Sequence, residues 1–151
     1  MYETLFIFKY ELIHILVTSL IALFLWWRFR NGWIVLVTFL VGIFIDIDHF
    51  FDYFSFFGFK LNIADFFNTI TYIKPSGKVY VLLHGWEFLI VFGLVGYLLE
   101  KKTKIKGLKW SFFIPYLAHL ICDNFSFQHH PLGYFFFYRL INNFSLEAFN
   151  G

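Results

Sequence analysis

The stretch 42-GIFIDIDHFFDYF-54 decides how this chain is read. Thirteen largely apolar residues, Trp33 to Ile45, run straight into Asp46, Asp48, His49 and Asp52. The approach has the character of a membrane helix, and its end is what a membrane rejects. An acidic or basic side chain at the centre of a spanning helix costs about 2.5–3.5 kcal/mol on insertion scales. Such a segment is tolerated only if its polar face turns toward a protected polar site.

The composition sets the class. The 151 residues suffice for one domain. They are 60% hydrophobic and 26% aromatic, with 25 Phe and only 15% charged residues, where a soluble domain carries about 25%. The expectation is an all-α integral membrane bundle forming a single domain over 1–151. The net charge of +2, with no Lys/Arg stripe, gives no footprint for nucleic acid. The sole cysteine, Cys122, excludes an intrachain disulfide framework and a Cys-based zinc knuckle. Glu3 and Glu11 stand where a cleavable signal would be basic, and no small-x-small site follows, so the first apolar segment is expected to be retained.

A bilayer core of about 30 Å needs roughly 20 apolar residues per helix. Four segments approach this: residues 12–27, 33–51, 79–99 and 110–127, with Pro115 expected to kink the last. The 55–78 loop and the tail from residue 128 are too polar to span and are expected to hold interfacial amphipathic helices. Two tight basic turns carry seven of the twelve Lys and Arg residues: Arg28, Arg30, Lys101, Lys102, Lys104, Lys106 and Lys109. Positive charge gathers on the cytoplasmic side, which puts the termini and the 55–78 loop outside.

At about 1.5 Å per residue, His14, Asp46, His84 and Asp123 each lie about 21–24 Å from the basic turns, and His119 about 15 Å. The spans alternate in direction, yet their ionisable groups fall near one depth, in the outer half of the membrane. Asp46 and His49 share a helical face at i, i+3, as do His84 and Glu87; His119 and Asp123 do so at i, i+4. No Lys or Arg lies at this depth, so pairing with a cationic side chain cannot stabilise the acids. A divalent cation can. The candidate metal ligands are His14, Asp46, Asp48, His49, His84, His119 and Asp123, with Asp48 and Glu87 as candidate general bases and Asp52 a weaker member. Imidazole with carboxylate suits Zn²⁺ best, with Mn²⁺ or Fe²⁺ as alternatives. His129 and His130, after the fourth segment, read as a surface pair. The interval of 35 residues from His14 to His49 recurs from His84 to His119, without similarity in between.

The early-helix His14, the block GIFIDIDHFFDY, a His-bearing third segment and HLICDNF together resemble the YdjM-like family of inner-membrane-associated metal-dependent hydrolases, some labelled LexA-binding. The resemblance runs from His14 to Asp123 and implies a metal site at His14, Asp46, Asp48, His49, His84, His119 and Asp123 in a prokaryotic plasma membrane; the basic turns put that site on the outward-facing side. One departure stands out. The family carries an HR…HS-type block on its third helix, whereas this chain has LLHGWEFL, with one His and no Arg. A cation for an anionic substrate would have to come from Lys60, Lys74, Lys78 or Arg139.

The leading expectation is hydrolysis of a phosphoester or other ester in a lipid or lipid-linked substrate by metal-activated water. The alternatives are membrane transport or handling of a metal and a non-catalytic scaffold whose polar cluster ties helices together.

Overall fold

A computed structural model describes residues 2–126 and 129–151, with side chains from Leu12 onward. Residues 127 and 128, where the fourth expected span ends and the tail begins, lie outside the described residues. So do the side chains of Glu3, Lys9 and Glu11, used for the signal and orientation readings. The described residues are all-α, with no strand among them and one isolated antiparallel bridge, Lys78 to Ser145.

Helix α1 covers Tyr2–Phe29. After the basic turn, the Asn31 side chain accepts from the Trp33 N–H and caps α2, Gly32–Phe44. The chain then tightens into a 3₁₀ turn, Ile45–Asp48, and relaxes into α3, His49–Phe57, which stops at Gly58 with φ +64°. The segments Leu12–Phe29 and Gly32–Phe57 are long and apolar enough to cross a bilayer. In the 55–78 loop lie two short helices, α4 (Ile63–Phe66) and α5 (Ile70–Ser76). Then come α6 (Phe88–Thr103) and α7 (Leu108–Ser126). The tail adds α8 (Phe136–Ile141) and α9 (Leu146–Asn150).

Helix α7 is the hub and packs against α1, α2 and α6. Val41 and Ile45 meet Tyr116, Leu120 and Tyr134 in the buried core. The α1–α2–α7 contact depends on Gly42. A Cβ there would lie 2.5 Å from Thr18 Oγ1 and 3.2 Å from Pro115 Cβ. Small residues permit such approach between apolar helices. Gly42→Ala is therefore expected to cost about 1–3 kcal/mol through overpacking, seen as a lower melting temperature in detergent; an unchanged melt would contradict the close packing.

The third expected span needs correction. Residues 79–86 form turns, and the helix starts only at Phe88, leaving α6 with 16 residues and α7 with 19. The reason lies in distant side chains. Asp52 accepts from the Tyr80 and Val81 N–H groups, at 2.7 and 2.9 Å. Asp48 accepts from the Leu83 N–H at 2.6 Å, and the Tyr116 hydroxyl lies 2.7 Å from both the Leu83 and Gly85 carbonyls. These bonds replace those a helix would make, and they satisfy an irregular backbone that is buried among helices.

Candidate metal centre

The 3₁₀ turn divides the acids of the IDID segment. At three residues per turn, Asp46 and the following His49 align, whereas Asp48 points elsewhere. Asp46 and His49 meet His84 from the 79–86 turn in one group of possible metal donors. His14 of α1 meets His119 and Asp123 of α7 in a second group. The two groups touch. His84 Nε2 lies 3.1 Å from His119 Nε2, 3.1 Å from Asp46 Oδ1 and 3.5 Å from Asp123 Oδ2. His119 Nε2 lies 3.3 Å from each of the same two carboxylate oxygens. The His14 and His119 rings stack with centroids 4.2 Å apart.

Hydrogen bonds at the far side of each ring fix what these nitrogens present. His119 Nδ1 faces the Gly42 carbonyl at 3.0 Å, and a carbonyl only accepts, so Nδ1 carries the proton. His84 Nδ1 faces Asp48 Oδ2 at 3.0 Å and donates in the same way. In neutral rings both Nε2 atoms then offer lone pairs. Two imidazole lone pairs and two carboxylate oxygens thus converge, and all four repel unless a cation lies among them. A tetrahedral site with metal–ligand bonds of about 2.0–2.1 Å has ligand–ligand edges of about 3.3–3.4 Å, close to the spacings found. His14 Nε2 lies 3.0 Å from Asp123 Oδ1, yet off the line of a hydrogen bond, and both ring nitrogens of His14 are buried without a partner. Asp46 Oδ2, His49 Nδ1 and Asp123 Oδ2 are likewise buried and unpartnered. The residues fit a divalent metal by donor type and by orphaned atoms.

Burial gives the centre a closed and an open side. The His84, His119, Asp123 and His14 side chains are at most 7% exposed, against 23% for Asp46 and His49. Phe44, Ile47 and Phe51 of the same segment are exposed.

Other expected members stand elsewhere. Asp48 lies behind His84 and belongs to neither donor group; its Oδ2 is committed to Leu83 and His84, while Oδ1 has no partner. Glu87 accepts from the Phe136 and Phe137 N–H groups, at 3.0 and 3.1 Å, and so ties α8 to the start of α6. Glu87 belongs to neither donor group. Asp52 clamps the backbone of the 79–86 turn. His129 bonds the His130 carbonyl and His130 stacks on Tyr138, both outside the donor groups. Arg139, considered as a cation for substrate, is 2% exposed and donates to the Gly133 and Val81 carbonyls.

Sequence reasoning missed two buried tyrosines. Tyr116 holds the 79–86 turn and sits one turn before His119 on the same face of α7, a spacing that could have revealed it. Tyr134 packs 6.4 Å from His84, ring to ring, with no local signal. Burial, reinforced by the charge of Asp123, pushes its phenol well above the ordinary range, so it stays protonated beside the centre. No family model matches the chain, and no curated protein or solved structure matches it.

Proposed function

We propose that the chain is a membrane-embedded metal-dependent hydrolase acting on a phosphoester or ester of a lipid or lipid-linked substrate. The observation that carries this is the convergence of four lone-pair donors on His84, His119, Asp46 and Asp123 with no cationic side chain among them. The ion would be Zn²⁺ by donor preference, held by these four with His14 and His49 at the flanks. Its chemistry is Lewis acidity, which acidifies water and polarises an ester oxygen.

The chain's own part is orientation and proton handling. Asp48 and the Gly42 carbonyl fix the two ring tautomers, as second-sphere partners of metal-binding histidines do. Asp48, on the far side of His84 from the converging donors, acts as the orienting acceptor of that ring and not as the base. Access is on the side of Asp46 and His49, and a centre within the membrane favours a substrate with both a polar head and an apolar tail.

In this reading α6 and α7 join the two long apolar helices as a four-span bundle. The outer face of α6 supports it, with Ile90, Val91, Leu94 and Leu98 exposed. The basic turns mark the cytoplasmic end and the centre lies toward the outer leaflet of a prokaryotic plasma membrane. The resemblance to the YdjM-like hydrolases points the same way.

A second reading, a polar brace, draws on His84 lying between Asp46 and Asp48 as an imidazolium would. The test separates the two. Detergent-purified protein is expected to retain metal and to release phosphate or acid from a panel of phosphatidate, isoprenyl pyrophosphate and carboxyl esters. Chelation should abolish the activity, and Zn²⁺ or Mn²⁺ should restore it. A metal-replete preparation that cleaves none of the panel ends the hydrolase reading; protein that never retains metal is the brace.

A further inference from the structure

We infer that Arg139, in the tail, is a positioning residue for the metal centre: its grip on the Val81 carbonyl sets where His84 stands. The inference rests on the metal reading above and concerns how one ligand is placed.

Val81 has φ +31°. The left-handed region is costly for a β-branched residue, by about 1–3 kcal/mol, and persists only when the surroundings over-determine it. Of the other non-glycine residues with positive φ, Arg30 and Lys104 follow helix ends, and Asn143 and Phe144 form the turn after α8. Val81 is the β-branched exception, three residues before a metal-donor histidine.

Both backbone groups of Val81 are held. Its N–H donates to Asp52 Oδ2 at 2.9 Å, and its carbonyl accepts from Arg139 Nη2 at 2.9 Å. The same carbonyl accepts the His84 N–H at 2.9 Å. One oxygen therefore joins the guanidinium to the backbone of His84, and a shift at Val81 is passed directly to the ligand. Asp48 then aligns the ring from its far side.

Arg139 is unusual for a group with only a structural task. It is 2% exposed, it bonds only main-chain carbonyls, and no carboxylate lies within ion-pair distance of it among the described residues. Burying a guanidinium without an ion pair is expensive. Its planar fork spans two carbonyls, Val81 and Gly133, that belong to different parts of the chain, a task an apolar side chain cannot do. The tail is seated along the same turn by three backbone bonds: Val79 N–H to Phe144 O, Trp86 N–H to Tyr134 O and Leu146 N–H to Gly77 O. The tail thus works as a strap across the segment that presents His84.

The test is Co²⁺ titration of the detergent-purified full chain, followed by ligand-field absorbance, with thermal melts to verify folding. Wild type is compared with Arg139→Ala, the milder Arg139→Gln, and each of these combined with Val81→Gly. Loss of a residue that orients a ligand weakens metal affinity about 10–100-fold, which is expected for Arg139→Ala, with a smaller loss for Arg139→Gln. Glycine takes positive φ without penalty, so Val81→Gly should return affinity to within about 3-fold of wild type in whichever Arg139 variant folds. That repair is what a merely space-filling arginine would not give. Undiminished cobalt affinity in a folded Arg139 variant overturns the inference, and so does a weakened variant that Val81→Gly leaves weak. If wild type takes up no cobalt, the metal reading falls and this inference with it; if wild type binds and the variants match it, only the inference falls.

Discussion

His119→Ala is expected to lower metal affinity by more than about 100-fold and to leave the purified protein essentially metal-free. Second-sphere changes alone cost about 10–100-fold, and His119 is placed to be a direct ligand. Its Nε2 lies within 3.3 Å of His84, Asp46 and Asp123, so one substitution removes the donor that touches both groups most closely. It also removes the ring stacked on His14. The side chain is 1% exposed, so solvent does not stand ready to supply a donor in its place. Elemental analysis beside a competition titration measures the effect. His130→Ala is the control, since that ring stacks on Tyr138 outside the donor groups, and it should keep the wild-type metal content. Metal retained at wild-type stoichiometry in His119→Ala would remove the centre from this position.

Asp52→Ala is expected to be the most destabilising single change in the 79–86 turn. Its two carboxylate oxygens are the acceptors for Tyr80 and Val81, and Asp52 itself is 4% exposed. Each buried N–H left without a partner costs about 1–3 kcal/mol, so the pair loses about 2–6 kcal/mol. That is a large part of the margin of a typical domain. Asp52→Asn keeps a single acceptor oxygen and should lose roughly half as much. Chemical unfolding in detergent gives both values, and a melt of Asp52→Ala matching wild type would mean that the turn is held by other means. Metal content measured on the same samples shows whether the centre fails together with the turn.

Much of the centre was legible because helix geometry is local. Asp46 with His49, and His119 with Asp123, lie at spacings that share a face, and the structure brings both pairs to the cluster. His14 and His84 followed from matched depth, an argument needing only helix rise and alternating direction. The 79–86 turn was not legible. The segment from Val79 to Leu99 is apolar apart from His84 and Glu87, and the groups that unwind its start lie far away in sequence. Asp52 is 28 residues from Tyr80, Tyr116 is 33 from Leu83, and Arg139 is 58 from Val81. The same error misplaced Glu87: its i, i+3 relation to His84 carries meaning only within a helix, and α6 begins one residue after Glu87. The 3₁₀ winding that divides Asp46 from Asp48 was not anticipated.

The partly exposed edge at Asp46 and His49 has a consequence for how a reactant would arrive. In the proposed setting, with the centre inside the membrane, that doorway would be reached from within the bilayer. A molecule anchored by its own tail diffuses to it in two dimensions without leaving the bilayer. Its crowding per unit area of membrane, and not the amount dissolved in the surrounding water, would then govern how often the doorway is filled.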